Sequence, residues 1–326
     1  VQRELGRGGM GVVLEAIHDA GARVAIKVLT NAGGSGSHGA KRFEREIQAL
    51  AKLQHPHIVG FHNAGAGPPA WLAMEFVEGG DLEQRLRTGR LSYEDSARVV
   101  AEVSEGIAYA HAQGTIHRDL KPANVLLRAA DGAALVTDFG LARDLDASRF
   151  TQSGAMVGTL SYMAPEQARG EKVLPPCDVW ALGAILYVCL TGETPFAGES
   201  SLAMAAALDR GRFDRPRKLD PQVPPDLESV CLSCLRRDPN DRPTAQEVGE
   251  ALRARVPLQP LPAEPRPVLP GLLFLVVVVF GVAGGLLLFR SAKAPSGQSP
   301  TPTGRGESPR PSASGEVARS SLVAAS

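Results

Sequence analysis

Two short runs decide how this sequence folds: HRDLKPAN at residues 117–124 and DFG at residues 138–140. The first run supplies a carboxylate at Asp119 and an amide at Asn124, and the second supplies a carboxylate at Asp138. Phosphoryl transfer from a nucleotide needs one acid that orients a hydroxyl and oxygen ligands that hold magnesium. Because two motifs of this length and order rarely coincide by chance, these three side chains are the first candidates for one shared site.

A glycine-rich run, GRGGMGVV at residues 6–13, has the spacing G-x-G-x-x-G-x-V. Glycines let a backbone close over phosphate groups, although this pattern alone more often marks a turn. The run VAIK at residues 24–27 follows it and supplies a lysine, and the two runs together are a much stronger signal than either alone.

These motifs resemble the eukaryotic-like serine/threonine protein kinases, in particular their bacterial, membrane-anchored branch. The resemblance covers residues 1 to about 255. It implies an α+β protein kinase fold with two lobes, a strand-rich N-lobe and a helical C-lobe. It also implies that the cofactors are ATP and Mg²⁺ (or Mn²⁺), and that the substrates are Ser or Thr hydroxyls on proteins.

The resemblance assigns a role to each motif residue. Asp119 orients the substrate hydroxyl, Lys121 neutralises the transferring phosphoryl group, and Thr159 contacts both. Asn124 and Asp138 are the metal ligands. The residues expected around the nucleotide are Gly6, Gly8, Gly11, Val13, Ala25 and Lys27, with Lys27 on the α and β phosphates.

Two further features of the nucleotide site follow from the resemblance. The partner of Lys27 is expected on a helix predicted at Lys41–Leu53, where Glu46 matches the family pattern. Glu44 is the alternative, on a different face of that helix. In the segment between the lobes, Met74 takes the gatekeeper position, and backbone groups of Glu75 and Val77 are expected to bind adenine.

The activation segment lies between the DFG motif and APE at residues 164–166. Thr151 and Ser153 stand where bacterial relatives autophosphorylate, and Arg118 is the cation that such a phosphate would meet. Simple loop polarity is the alternative explanation for these hydroxyls. Two structural contacts are also implied: Asp178 holds the catalytic-loop backbone, and Arg242 pairs with Glu166.

Composition narrows the range of partners. The 326 residues carry no formal net charge, which gives no reason to expect nucleic acid or another strongly charged partner.

The four cysteines include one C-x-x-C pair, Cys231 and Cys234, for which a redox or zinc role is the alternative to burial in a helical core. Because the chain begins at Val1, close to the glycine-rich run, we expect that the N-terminal edge of the domain is truncated.

Hydrophobic periodicity predicts the arrangement of elements. Strands are expected at residues 12–14 and 24–28. Amphipathic helices are expected at Tyr93–Gln113, Cys177–Thr191 and Pro225–Arg236.

The chain beyond the kinase-like region divides into three parts. Residues 256–267 are proline-rich and predict a stiff linker. Residues 268–289 carry no charged side chain, which predicts a transmembrane helix, with a buried core helix as the alternative. Within it, Gly281 and Gly285 have a spacing that favours a homodimer, and incidental glycines are the alternative. Residues 290–326 predict a disordered extracytoplasmic tail.

Three functional interpretations are compared. The first is an active serine/threonine kinase in the cell (inner) membrane, with its kinase domain in the cytoplasm because ATP is there. The second is a pseudokinase scaffold, which the presence of Lys27, Asp119, Asn124 and Asp138 disfavours. The third is a small-molecule phosphotransferase, which the APE segment and Thr159 disfavour because they suit a peptide substrate.

Overall fold

A β-sheet lobe precedes a mainly helical lobe, as predicted from the sequence. This computed structural model describes residues 1–8, 11–18, 21–29, 47–65, 69–139, 160–198 and 200–255. All of them lie within one compact unit, Val1–Glu264. The predicted linker, transmembrane helix and tail lie outside the described residues.

The N-lobe is a five-stranded antiparallel sheet. Its strands are β1 (Arg3–Gly8), β2 (Gly11–Ile17), β3 (Arg23–Leu29), β4 (Phe61–Gly65) and β5 (Ala70–Glu75). They pair in the order β1-β2-β3-β5-β4. β2 and β3 contain the two strands predicted from the sequence. β3 lies at the centre of the sheet, so Lys27 has a paired strand on each side.

A second, three-stranded sheet belongs to the C-lobe. It consists of β6 (Gly79–Asp81), β7 (Val125–Arg128) and β8 (Ala134–Val136), in that order. Val136 donates its backbone N–H to His57 O and accepts from Val59 N, each at 2.9 Å. These bonds attach the end of β8 to the chain that leads into β4, so the residues after β8 lie where the two lobes meet.

Eight helices follow in the described part of the C-lobe. They are α1 (Leu82–Arg87), α2 (Tyr93–Ala112), α3 (Pro165–Ala168), α4 (Pro176–Thr191), α5 (Ser201–Arg210), α6 (Pro216–Leu219), α7 (Pro225–Cys234) and α8 (Ala245–Ala254). Two 3₁₀ turns, Pro122–Asn124 and Pro239–Asp241, lie between them.

The long helices confirm the predicted ones to within two residues at each end. Ser92 begins α2 by accepting a hydrogen bond from Asp95 N, as an N-cap serine does. α4 has proline at its first position and ends at Thr191, and its C-cap Gly192 has the left-handed φ of 82° that glycine favours. α7 ends at Cys234, two residues before the predicted end.

The core of the C-lobe is built around α4, which is buried on nearly every face. A helix that is apolar all round has to be surrounded by other elements. Its fully buried large side chains are Trp180, Leu182, Ile185, Leu186, Tyr187 and Leu190. α2, α7 and α8 contribute further side chains to the same core cluster.

The four cysteines are all buried in this core. Burial raises the pKa of the Cys189 and Cys234 thiols to about 12, so both are neutral at physiological pH. Within the described residues, no group of three or more His, Cys, Asp or Glu side chains is placed to hold a metal ion. Cys231 and Cys234 are both free thiols buried in the core, as the packing alternative expects.

Two predicted helices fall partly or wholly outside the described residues. Residues 47–50 are helical and lie inside the predicted helix Lys41–Leu53, whose earlier residues are not described. Among the helices of the described ranges, none is long and apolar enough to cross a membrane. Residues 268–289 are not part of those ranges.

Candidate active site

The loop before the 3₁₀ turn brings three of the predicted residues together. Lys121 Nζ lies 3.0 Å from Asp119 Oδ2. Asn124 Nδ2 donates to the backbone oxygen of Asp119 at 2.7 Å. Pro122 restricts Lys121 to an extended backbone conformation just before the 3₁₀ turn begins. In this position the Lys121 side chain reaches Asp119. One carboxylate, one ammonium group and one amide therefore share a single short loop.

Asp138 joins this group from the end of β8 and contacts the N-lobe. Its Oδ1 lies 2.8 Å from Lys27 Nζ of β3, and the Lys27 side chain is only 10% exposed. A buried ammonium group needs such a partner because desolvation of an isolated charge is costly. Glu46, the partner of Lys27 that the sequence predicts, lies outside the described residues, and the sequence did not predict the pairing with Asp138.

Two residues of the site have an uncommon backbone conformation. Arg118 has a φ of 66° and Asp138 a φ of 60°. A residue other than glycine in this region costs about 1–3 kcal/mol and persists only where the surroundings hold it. Strained residues therefore occur in both signature motifs, directly at the side chains that carry the proposed chemistry.

Asp178, at the start of α4, holds the strained catalytic loop. It accepts hydrogen bonds from the backbone N–H groups of His117 and Arg118, each at 2.8 Å. This confirms the predicted contact. His111 Nε2 of α2 lies 2.8 Å from the same carboxylate. Gln167 of α3 donates to Arg118 O at 3.0 Å, so both sides of the Arg118 peptide are fixed.

His111 and Gln167 were missed by the sequence analysis. Each is a polar residue in an ordinary helical stretch, and only the packing of α2 and α3 against the loop brings it into contact. No spacing rule in the sequence carries that information.

The ionisation of Asp178 follows from these contacts. Complete burial opposes the charged form of the carboxyl group. The hydrogen bond with His111, together with the electrostatic interaction and the backbone hydrogen bond of His117, outweighs burial. These contacts hold the pKa of Asp178 below its ordinary value. The side chain is therefore a carboxylate at neutral pH, which is the form that accepts two backbone N–H bonds.

Glu166 and Arg242 form the predicted buried ion pair. Arg242 Nη1 and Nη2 donate to the two carboxylate oxygens of Glu166 at 2.6 and 2.8 Å. The Arg242 side chain is 0% exposed and the Glu166 side chain is 5% exposed. Arg242 also donates to the carbonyls of Arg236, Arg237 and Pro176, so its guanidinium group is fully hydrogen-bonded. The pair fixes the start of α3 to the base of α4.

The glycines of the glycine-rich run are needed for two different reasons. A Cβ on Gly11, whose φ is 147°, would lie 1.9 Å from Val28 O, so only glycine fits there. A Cβ on Gly6 or Gly8 would meet nothing within 4 Å, and the backbone at both positions is open to an approaching group. Gly11 is thus required by the sheet, whereas Gly6 and Gly8 leave the access that phosphates need.

The remaining nucleotide candidates lie on one side of the sheet and in the segment after it. Val13 pairs directly with Lys27, and Ala25 pairs with Met74. Paired residues of adjacent strands point to the same face, so these four side chains line one surface.

The segment between the lobes begins at the end of β5. Glu75 donates its backbone N–H to Gly60 O at 2.7 Å. Val77 makes no hydrogen bond within the described ranges, and its backbone groups are available to a ligand. The guanidinium carbon of Arg23 lies 4.0 Å from the centre of the Phe76 ring, a contact that the sequence did not predict.

The donor atoms of the site fit a magnesium–nucleotide complex. Asn124 uses its Nδ2 on Asp119, which leaves Oδ1 as an acceptor, and Asp138 uses Oδ1 on Lys27, which leaves Oδ2. Two oxygen ligands from the protein suit Mg²⁺, which keeps waters and phosphate oxygens as its other ligands. Residues Asn124, Asp138 and Lys27 would therefore hold the metal and the phosphates of ATP.

Four predicted residues, Glu46, Thr151, Ser153 and Thr159, lie outside the described residues. Their roles stay predictions. The structure pairs Lys27 with Asp138 across the two lobes, and it brings Asp119, Lys121 and Asn124 together in one loop of the C-lobe.

Comparison with known families decides the assignment that this geometry suggests. The family model described as "Protein kinase domain" matches residues 1–251. The chain belongs to the protein kinase family. The serine/threonine-protein kinase PknA of Mycobacterium tuberculosis (strain H37Rv) is 36% identical over 278 residues, which cover 81% of this chain and 64% of PknA.

Other relatives of this kinase support the same family. The probable serine/threonine-protein kinase PknB of Lactococcus lactis is 38% identical over 249 residues, which cover 75% of this chain and 40% of PknB. The chain therefore spans less than two thirds of the length of these relatives. The crystal structure of Rad53 1-466 in complex with AMP-PNP superposes with a TM-score of 0.65 at 28% identity, covering 78% of this chain and 64% of that one.

Proposed function

We propose that this kinase transfers the terminal phosphoryl group of ATP to serine and threonine hydroxyls of proteins. The observation that carries the proposal is the cluster of Asp119, Lys121, Asn124, Asp138 and Lys27, drawn from both lobes. The bacterial relatives named above are serine/threonine kinases, and the Rad53 structure contains an ATP analogue, which supports both the acceptor and the nucleotide.

The roles of the side chains follow from their positions. ATP with its metal, when bound, supplies the phosphoryl group and compensates much of the phosphate charge. Asp119 accepts a hydrogen bond from the substrate hydroxyl and orients it for in-line attack. Lys121, 3.0 Å from that carboxylate, places a positive charge beside the group in transfer. Lys27 positions the α and β phosphates from the N-lobe face.

The scaffold and small-molecule interpretations have less support. A pseudokinase would be expected to lack at least one of Lys27, Asp119, Asn124 and Asp138, and all four are present, with Lys27 paired to Asp138 and Asn124 bonded to Asp119. The buried pair of Glu166 and Arg242 stabilises the APE segment, which suits a platform for a peptide substrate rather than for a small metabolite.

Replacement of Asp119 tests the proposal. Asp119→Asn is expected to retain ATP binding and to lower phosphotransfer to a generic basic protein by at least about 10²-fold, because it removes the group that orients the hydroxyl. The matched control is Asp131→Asn, an exposed carboxylate paired only with Arg128 and its own turn. Radiolabelled phosphate incorporation measures the rate. Near-normal turnover in the Asp119 variant would remove this residue from the mechanism.

We also propose that residues 268–289 anchor the kinase in the cell (inner) membrane and link it to membrane signalling. The support is the uncharged apolar sequence of this segment, and the cytoplasmic position of the kinase domain follows from the location of ATP. Arginines flank the segment on both sides, so the distribution of positive charge does not decide the orientation.

Carbonate extraction of membranes tests the anchor. The chain is expected to stay in the pellet at alkaline pH, whereas a Val277→Arg, Val279→Arg variant is expected to be released, since charges in the hydrocarbon core oppose insertion. Release of the unaltered chain would contradict a spanning helix.

A further inference from the structure

A histidine where the two lobes meet contacts the strand that leads to Asp138. His57 lies between the helical residues 47–50 and β4, and its side chain is 15% exposed. Its Nδ1 lies 2.9 Å from Ala134 O in β8. Because a carbonyl oxygen can only accept a hydrogen bond, Nδ1 carries the proton in this contact. The neutral ring therefore has its lone pair on Nε2.

The lone pair of His57 faces a carboxylate. His57 Nε2 lies 3.7 Å from Glu105 Oε2 of α2. The other oxygen of Glu105 accepts a hydrogen bond from Nε of Arg253 in α8, and this bond holds the pKa of Glu105 below its ordinary value. Glu105 is therefore charged at neutral pH. In the neutral ring, Nε2 is one acceptor opposite another, whereas a proton on Nε2 turns the contact into an ion pair.

The neighbouring His55 is not placed to take up a proton in the same way. His57 donates its backbone N–H to His55 Nδ1 at 3.2 Å, so a proton on that nitrogen would break the bond. The His55 ring stacks on Tyr109, with their centroids 5.1 Å apart. Burial, followed by the charge of His57, lowers the pKa of His55. Of the two histidines, His57 is the one whose environment favours the charged form.

His57 contacts both ends of β8. At the first residue of the strand, Ala134 donates its N–H to Glu102 Oε2 of α2 at 2.7 Å, while its oxygen contacts the His57 ring. At the last residue, Val136 donates its N–H to His57 O at 2.9 Å. The ring of His57 thus attaches the start of β8, and its main chain attaches the end.

Asp138 lies two residues beyond β8 and depends on how that strand is held. The intervening Thr137 donates its N–H to Asn124 O at 3.0 Å. Asp138 has the strained φ of 60°, which persists only where the surroundings hold it. α2 approaches the His57 loop closely, since a Cβ on Gly106 would lie 2.7 Å from His57 O. A firmer attachment of β8 to α2 therefore holds the Asp138 carboxylate more firmly.

We propose that His57 is a positioning residue for Asp138 and that a proton on its Nε2 strengthens the binding of the Mg²⁺–nucleotide complex. With that proton, the ring bridges Ala134 O and Glu105 and ties β8 to α2. Without it, the ring keeps the contact with Ala134 and loses the one with Glu105. The inference rests on the proposed function, which makes Asp138 a metal ligand. It goes further, because it gives the site a support whose strength depends on pH.

The charged and titratable groups around the ring set the size of the effect. Those of the described residues are Glu102, Glu105 and Tyr109 of α2, Arg253 of α8 and His55 of the same loop. β8 contributes backbone groups. Arg253 offsets part of the charge of Glu105, so the attraction is modest. A partly exposed ion pair changes an equilibrium constant by about two- to fivefold.

The test measures binding rather than turnover. The detergent-solubilised full chain is titrated with a fluorescent ADP and Mg²⁺ between about pH 5.5 and about pH 8, the range in which imidazole changes charge. His57→Gln keeps a donor for Ala134 O and has no charge at any pH. Glu105→Gln keeps the histidine and removes the carboxylate. The matched control is His62→Gln, which removes an exposed histidine from β4.

The quantity compared is the dissociation constant of each variant divided by that of the unaltered chain at the same pH, which removes the titration of the nucleotide itself. For His57→Gln and Glu105→Gln, this ratio is expected to rise about threefold as the pH falls across the range. For His62→Gln it is expected to stay constant. Without Mg²⁺ the ratios are expected not to depend on pH, because Asp138 acts through the metal.

Three results would overturn the inference. A His57→Gln ratio that is the same at every pH would show that the histidine serves packing alone, and so would an equal pH dependence without Mg²⁺. If His57→Gln does not fold, the Glu105→Gln ratio decides by the same criterion. If none of the chains binds the Mg²⁺–nucleotide complex, the proposed function fails and this inference fails with it.

Discussion

Asp178 shows how a single residue far along the chain stabilises the catalytic loop. Its carboxylate accepts two backbone N–H bonds from His117 and Arg118, and the strained φ of Arg118 depends on them. The Asp119 side chain follows directly after that peptide. The position of the proposed catalytic carboxylate is therefore set by a charge on α4, together with His111 and Gln167.

Asp178→Asn is expected to lower both stability and activity. An amide nitrogen in place of one oxygen would face a backbone N–H instead of accepting from it, which costs about 2–3 kcal/mol of unfolding free energy. Phosphotransfer is expected to fall because Asp119 loses its position. Thermal unfolding and a phosphotransfer assay measure the two effects, with Asp131→Asn as the surface control. Unchanged stability and rate would show that the loop keeps its position without the Asp178 carboxylate, through contacts such as that of Gln167 with Arg118 O.

The same residue gives a pH dependence with a definite sign. The pKa of Asp178 is lower in the folded protein than the ordinary value of about 3.9. Its contribution to stability is therefore complete above that value and is lost as the pH falls through the lower, folded pKa. In acid titrations followed by thermal unfolding, the Asp178→Asn variant is expected to lose less stability below about pH 4 than the unaltered chain.

At the residue level, the sequence predicted the members of the site better than their contacts. Asp119, Asn124 and Asp138 lie in two motifs whose chemistry is fixed by residue type. The ion pair of Lys27 with Asp138 was not predicted, because it depends on how the N-lobe sheet meets the end of β8. The contact of Arg23 with Phe76 was not predicted because it depends on the pairing of β3 with β5.

At the level of elements, the packing of α4 against α7 depends on one glycine. A Cβ on Gly183 would lie 2.5 Å from Cys234 Cβ and 3.1 Å from Leu235 Cγ. Real Cβ atoms do not approach other atoms so closely, so the two helices would have to move apart. Gly183 thus serves helix packing rather than a turn.

Gly183→Ala is expected to lower the free energy of unfolding by about 1–2 kcal/mol, since overpacking outweighs the gain in helix propensity. The matched control is Gly249→Ala in α8, where the nearest atoms lie at an ordinary 3.5 Å. There the gain in propensity is expected to dominate, with up to about 1 kcal/mol of stabilisation. Thermal unfolding followed by tryptophan fluorescence measures both. Equal effects of the two substitutions would mean that α4 and α7 separate without cost.

Helices and strands were predicted well where the hydrophobic period was long. α2, α4 and α7 appear where the apolar residues recur at helical spacing, and they differ from the prediction by one or two residues, at the end of α2, the start of α4 and the end of α7. The short elements α3 and α6 were not predicted. Each is a single turn beginning at a proline, and tertiary contacts such as that of Glu166 with Arg242 fix them.

At the level of the whole molecule, the sequence gives the order of the parts: a kinase domain, a proline-rich linker, an apolar segment and a polar tail. Spatial relations within the domain needed the structure. The ion pair of Arg255 with Asp226, for example, joins the end of α8 to the start of α7, and no pattern in the sequence predicts it.

Control of this kinase by its own activity concerns the whole molecule, because the chain that catalyses the transfer from ATP and the chain that accepts the phosphate are copies of the same protein. Thr151 and Ser153 are proposed to be autophosphorylated. A phosphate brings roughly −1.5 to −2 charge and three acceptor oxygens, which can order a loop through arginine. Arg118 is the candidate because of its place in the catalytic loop, where it precedes Asp119 and where Asp178 and Gln167 hold its backbone.

Incubation with ATP is therefore expected to add phosphate at Thr151 or Ser153 and to raise the rate of phosphotransfer several-fold. A Thr151→Ala, Ser153→Ala variant is expected to stay at the initial rate. Mass spectrometry locates the phosphate, and the Asp119→Asn chain serves as the control that cannot modify itself. Phosphate on the Asp119→Asn chain would point to a contaminating kinase. Full activity of the double alanine variant, without any phosphate on the segment, would mean that the site is assembled before modification and that Arg118 serves only to position the catalytic loop.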